Sequence, residues 1–168
     1  MNEFFKDASI SPLKEKDLKK FKELDFFDFD SSYVVKAKLI RTPDEKSFKM
    51  KTTTDRLPEY VKYGDVSFEL FGKSYSLNIY RNLDIVNKEG YEDYLFLPFL
   101  DDTNGVESYG GGRYIDFDIP VDNYLIIDFN TAYNPYCAYN EKYSCPIVPR
   151  ENYLPIKINA GVKAFAKN

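Results

Sequence analysis

Residues 66–79, VSFELFGKSYSLNI, decide the fold. Val66, Phe68 and Leu70 alternate with Ser67 and Glu69, and Tyr75, Leu77 and Ile79 alternate with Ser74, Ser76 and Asn78. A period of two is that of a strand with one buried face. Between the two runs stands Gly72-Lys73, and glycine at the first central position is what a type II′ turn requires. That turn would pair Leu70 with Tyr75, Phe68 with Leu77 and Val66 with Ile79, leaving every apolar residue on one side.

The same period recurs on both sides of this hairpin. Tyr33, Val35, Ala37 and Leu39 alternate with Lys36 and Lys38. Lys49 to Thr54 is a weaker strand pattern. Leu95 to Leu100 is apolar on both faces apart from Pro98, as in a strand buried on both sides. Tyr114 to Ile119, Tyr124 to Phe129 and Pro155 to Asn159 read as further strands, with an ordered loop over Cys137 to Leu154. Ahead of them, Ser11-Pro12 is a helix-start signal, and Leu18, Phe21 and Leu24 form an apolar stripe. The expectation is a single mainly β domain over 1–168. It has one N-terminal helix over 11–24 and a β-rich body over 33–168. The body would hold about seven to eight strands in an antiparallel barrel or a two-sheet sandwich.

Composition limits the function classes. The chain has 168 residues with a net charge of −4, and its charges of opposite sign are interspersed. A nucleic-acid surface normally needs a basic stripe, so none is expected. The start lacks a signal-peptide pattern, and no apolar run approaches the roughly twenty residues of a membrane span. The chain is expected in the cytoplasm if Met1 is native, and outside it if a leader has been removed. There is no histidine, which excludes Ser-His and Cys-His hydrolase mechanisms within one chain. With 15 Tyr and 14 Phe, the sequence suits a sheet with a wet aromatic face or a pocket lining.

The second half is denser in chemistry. Matching the apolar faces of the Tyr114 and Tyr124 strands as a hairpin sets Asp116 opposite Asp128. Two carboxylates so placed suggest a general acid/base or metal pair, or a screened pair in solvent. Gly110, Gly111 and Gly112 precede Arg113. Glycines and an arginine can hold an anion. Alternatively, Arg113 shares the apolar face of Ile115 and Phe117 and clamps Asp101, Asp102 or Asp116 from inside the fold. Asn130, Tyr133, Asn134 and Asn152 offer uncharged hydrogen-bonding groups to a ligand or to irregular backbone. Cys137 and Cys145, the only cysteines, read as a disulfide staple or structural thiols.

Phe99, Asp101, Thr103, Gly105, then Tyr109, Gly110, Gly112 and Arg113 form one run of motifs. Asp128-Phe129-Asn130, Ala132 to Pro135, Cys137 and Cys145 form another. This region, 99–161, resembles the signature of the domain-of-unknown-function family numbered 1684. Ser11-Pro12-Leu13 and Phe21 to Asp30 fit it too. Two positions depart from that pattern: Leu100, where relatives often carry a basic residue, and Val162, where they often carry Glu. The resemblance implies no activity, and some relatives are exported.

The residues expected at a site are Asp101, Tyr109, Gly110, Gly112, Arg113, Asp116, Asp128, Asn130, Tyr133 and Asn134. The expected function is binding of a small polar or anionic ligand. The alternatives are a hydrolase-like enzyme using paired carboxylates and a structural or interaction module. No cofactor, metal or oligomeric state is legible.

Overall fold

The computed structural model describes residues 1–166. Eight strands form one strongly curled half-barrel sheet. They are β1 (Val34–Arg41), β2 (Phe48–Lys49), β3 (Glu59–Leu70), β4 (Lys73–Asn82), β5 (Tyr94–Asp101), β6 (Arg113–Asp118), β7 (Tyr124–Asp128) and β8 (Tyr153–Leu154). The path across the sheet is β6-β5-β4-β3-β1-β7, with β2 on β3 and β8 on β5. Every pairing is antiparallel except β5 with β8. The mainly β expectation holds. The curl stays open, with β6 and β7 as its two ends.

The hairpin of β3 and β4 forms with a different turn. Phe71 and Gly72 are its central residues, with φ of 50° and 76°. Two positive φ values make a type I′ turn, whose twist matches that of the flanking strands. Leu70 therefore pairs with Lys73, Phe68 with Tyr75 and Val66 with Leu77. This is two residues off the expected register, and because side chains alternate with period two, the buried face is unchanged. Phe71 meets Tyr33 edge to face, with ring centroids 5.2 Å apart.

Parity then sorts the side chains onto two faces. Val66, Phe68, Leu77, Ile79, Leu95, Leu97, Phe99, Ile115 and Ile127 fill the inner core. Tyr80, Phe96 and Tyr114 belong to a second cluster on the outer face, with Met50 and Val148. A bulge between Lys62 and Gly64 adds one residue to β3. It reverses the parity there and turns Tyr60 to the outer cluster while Val66 faces the inner one. Residues 133–149 cross this outer face.

The N-terminal helix expected over 11–24 is cut to the short α2 (Glu15–Leu18), and a separate short helix, α1 (Asn2–Lys6), precedes it. A helix this short gains little from its own hydrogen bonds. Ser11 Oγ accepts from Leu13 N–H, a local turn, and Leu24 N–H is taken by Asn2 Oδ1 at 2.9 Å. The apolar stripe is buried all the same. Leu13 and Leu24 pack with Phe5, Tyr139 and Val162, with Leu18 and Phe21 against them.

Pro155 to Asn159 is not a strand. The preceding pair Tyr153–Leu154 joins β5, and Ile158 N–H is bonded at 2.8 Å by the Asp101 carboxylate. No helix among the described residues is long and apolar enough to cross a membrane.

Candidate functional site

Arg113 opens β6 on the inner face, as its parity with Ile115 requires, and is wholly buried. A guanidinium there must spend its donors inside the protein. Nη2 donates to Asp101 Oδ1 at 3.2 Å and to Ile158 O at 2.9 Å. Nη1 donates to the carbonyls of Ala160 and Val162. Asp101, equally buried, accepts at Oδ2 from Thr103 N–H (3.1 Å), Thr103 Oγ1 (2.7 Å) and Ile158 N–H (2.8 Å). Burial lowers the Arg113 pKa, and the Asp101 charge opposes that shift. Of the two readings of Arg113, this geometry is the clamp: it ties the segment after β8 to β5 and β6. Only Nε is left without a partner among the described residues.

The glycines before it serve packing. Gly112 has φ of 90°, and a Cβ there would lie 2.6 Å from the Phe99 carbonyl oxygen. Its N–H is taken by Tyr109 O at 3.1 Å. Gly110 sits in the same turn, against Gly105.

The Asp116–Asp128 pair does not form. Asp116 lies on β6 opposite Phe96 of β5, and Asp128 lies on β7 opposite Val34 of β1, at the other end of the sheet. Alternation alone is compatible with several partners. The open edge of β1 takes β7, and Phe129 just after it packs edge to face on Phe99 at 5.3 Å. Asp128 caps the next turn by accepting Asn130 N–H at 2.9 Å. Asn130 accepts from Asp30 N–H and donates to Asp30 O, pinning the entry to β1. Neither residue approaches Asp116.

Around Asp116 the outer face opens into a cleft. Tyr94 Oη and Tyr133 Oη both donate to Asp116 Oδ1 at 2.7 Å. Tyr94 comes from β5 two residues before Phe96. Tyr133 is brought there by its backbone pairing with Tyr114. A hollow of about 310 Å³ lies beside them. It is lined by Tyr60, Tyr91, Tyr94, Phe96, Tyr114, Tyr133, Tyr136 and Tyr143, with Asn82, Ile85, Ser144, Cys145 and prolines 135 and 146. Tyr133 and Tyr136 also wall a second hollow of about 410 Å³, which holds Asp116, Asn134 and Phe4. The rings are braced against one another: Tyr114 on Tyr133 at 5.8 Å and 88°, Tyr136 on Tyr143 at 5.3 Å and 64°.

Burial pushes the Tyr60 hydroxyl up to about 12. It raises Tyr94, Tyr114 and Tyr133 further, with the Asp116 charge adding to Tyr94 and Tyr133. All four are neutral near pH 7: Tyr94, Tyr114 and Tyr133 donate, and Tyr60 Oη accepts from Asn82 Nδ2 at 3.1 Å. Asn134 donates to Tyr139 Oη and Lys163 O, and its buried Oδ1 lacks a partner among the described residues.

Cys145 lines the first hollow, and Cys137 lies beside it in contact with Cys145. They are free, with the Cys137 N–H donating to Cys145 Sγ at 3.2 Å. The Cys145 thiol first, and then the Tyr109 hydroxyl, hold the Cys137 thiol down at about 6 against the opposing effect of burial. The same thiol contact pushes Cys145 up.

Of the expected site residues, Asp116, Tyr133 and Asn134 therefore meet at one place. Asp101, Gly112 and Arg113 meet at another, inside the protein. Tyr109 reaches Cys137, while Asp128 and Asn130 stand apart. Sequence reasoning missed Tyr60, Tyr91, Tyr94, Tyr114, Tyr136 and Tyr143 as individuals, although their abundance was a signal for an aromatic lining.

The chain shares 34% sequence identity and a TM-score of 0.74 with an uncharacterised protein of Haloarcula marismortui, solved by solution NMR. The match covers 96% of this chain and 87% of that one. No curated protein matches. The model of the family described as "Protein of unknown function (DUF1684)" matches residues 19–163, and the chain belongs to that family.

Proposed function

We propose that this chain is a small-ligand-binding β domain and that its site is the tyrosine-lined cleft around Asp116. One observation carries this reading: an open hollow of about 310 Å³ is walled by tyrosines, two of whose hydroxyls converge on a carboxylate oxygen of Asp116, which walls the adjoining hollow of about 410 Å³. A concave, mostly apolar surface with a few placed polar groups is how small-molecule sites are usually built. The reading retains Asp116, Tyr133 and Asn134 from the sequence and moves the site away from Arg113. It also removes the basis for an anionic ligand, because the Arg113 donors are spent on Asp101 and three carbonyls. Paired-carboxylate hydrolysis loses its partner with Asp128 at the far end of the sheet.

The test is to map amide chemical shifts of the labelled protein against a panel of small polar compounds. Binding should move residues 114–118 and 133–146 together. Shifts confined to the Gly110–Arg113 turn, or no shifts from any compound, would refute the proposal.

A further inference from the structure

We infer that the ligand of this cleft is a small organic cation, an alkyl- or quaternary ammonium, held against tyrosine faces and paired with Asp116. The inference rests on the reading of the cleft as a ligand site. Its first support is charge. No lysine or arginine side chain lines either hollow, and Asp116, which walls the second together with Met1, is the one carboxylate in them. Arg56 comes near the rim but is turned to Ser144, donating to its Oγ at 3.0 Å and its carbonyl at 3.2 Å.

The second support is the arrangement of the rings. An aromatic face carries the negative part of its quadrupole, and cations bind over it. Tyr114 and Tyr133 meet at 88° and Tyr91 and Tyr94 at 84°, so the ring faces point in different directions, as the walls of a box do. Such walls surround a rounded cation better than they stack on a flat ring.

The third support is the state of the hydrogen-bonding groups. The hydroxyls of Tyr94 and Tyr133 are committed to Asp116, and that of Tyr114 to the Pro146 carbonyl. A sugar would need free donor and acceptor pairs along its edge, and beside Asp116 these three hydroxyls are already committed. A quaternary ammonium needs none. Both tyrosine hydrogen bonds fall on Asp116 Oδ1, and among the described residues Oδ2 accepts none. That leaves a fixed carboxylate with an oxygen to face a cation.

The experiment titrates the full chain with choline, its uncharged isostere 3,3-dimethyl-1-butanol, glucose and acetate, reading amide shifts and heat. Choline should move residues around Asp116 and Tyr133 and bind at least about tenfold more tightly than the isostere. Asp116→Asn should weaken choline by about tenfold, and Tyr136→Ala, an exposed ring at the cleft mouth, should weaken it without unfolding the protein. Equal binding of choline and the isostere, or binding of glucose or acetate in the cleft instead, overturns the cation inference and leaves the ligand-site reading standing. No perturbation of the cleft by any of the four overturns both.

Discussion

Arg113 and Asp116 stand three residues apart on β6 and do opposite work. Odd positions of that strand face the inner core and even positions face the outer cleft, so a single parity step separates a buried clamp from an exposed carboxylate. Replacing Arg113 with Met keeps the bulk but leaves the buried Asp101 charge unpaired, together with the carbonyls of Ile158, Ala160 and Val162. Breaking a buried pair from one side costs about 3–5 kcal/mol. Urea unfolding of Arg113→Met should show a loss of that size. A loss below about 1 kcal/mol, the range of an exposed pair, would contradict the clamp. Which face Arg113 took was legible from its parity with Ile115 and Phe117. That its donors are spent on the segment 158–162 was not, because those carbonyls are 45 or more residues away in the chain.

At the scale of elements, two glycines with similar backbone angles have different reasons. Gly72 turns the β3–β4 hairpin with φ of 76°, and nothing lies within 4 Å of a Cβ placed there. Gly72→Ala should therefore cost only the left-handed conformation, about 1–2 kcal/mol. Gly112 has φ of 90° and backbone 2.6 Å from the same imaginary atom, so Gly112→Ala must also push β5 and β6 apart. Thermal melts of the two variants should rank them in that order, and equal losses would show that the close approach at Gly112 is easily relaxed. The hairpin itself was readable because local alternation and a local turn specify it. Its turn type was not. Phe71 accepts a positive φ that glycine usually supplies, and its contact with Tyr33, from the turn before β1, accompanies that choice. The N-terminal stripe of Leu18, Phe21 and Leu24 likewise signalled burial correctly and helix extent wrongly, because the surface it packs on comes from Tyr139 and Val162.

Across the whole molecule, the tyrosines of the outer face set an alkaline limit. Tyr60 is raised to about 12 from 10, and Tyr94, Tyr114 and Tyr133 are raised further, chiefly by burial. In the unfolded chain these phenols ionise near 10, while in the folded protein they keep their protons. The folded state then binds more protons above pH 10, so stability is full below that pH and falls as pH rises. Each such tyrosine removes about 1.4 kcal/mol per pH unit. Circular dichroism and the phenolate absorbance of these four tyrosines should change together in one cooperative step above pH 10. Smooth ionisation of every tyrosine ahead of unfolding would contradict the burial described here. The sequence by itself determined the strand-rich class, the faces of most strands, the exclusion of histidine chemistry and the family signature, since all of these rest on local pattern and composition. Only the tertiary structure decided that β6 and β7 end at opposite edges. Only it showed that Arg113 faces inward to carbonyls and Asp116 outward to tyrosines drawn from β3, β5, β6 and the 133–143 loop. Strand partners are fixed by which edges are left open when the sheet curls. That is a property of all the strands together, and no single stretch of sequence encodes it.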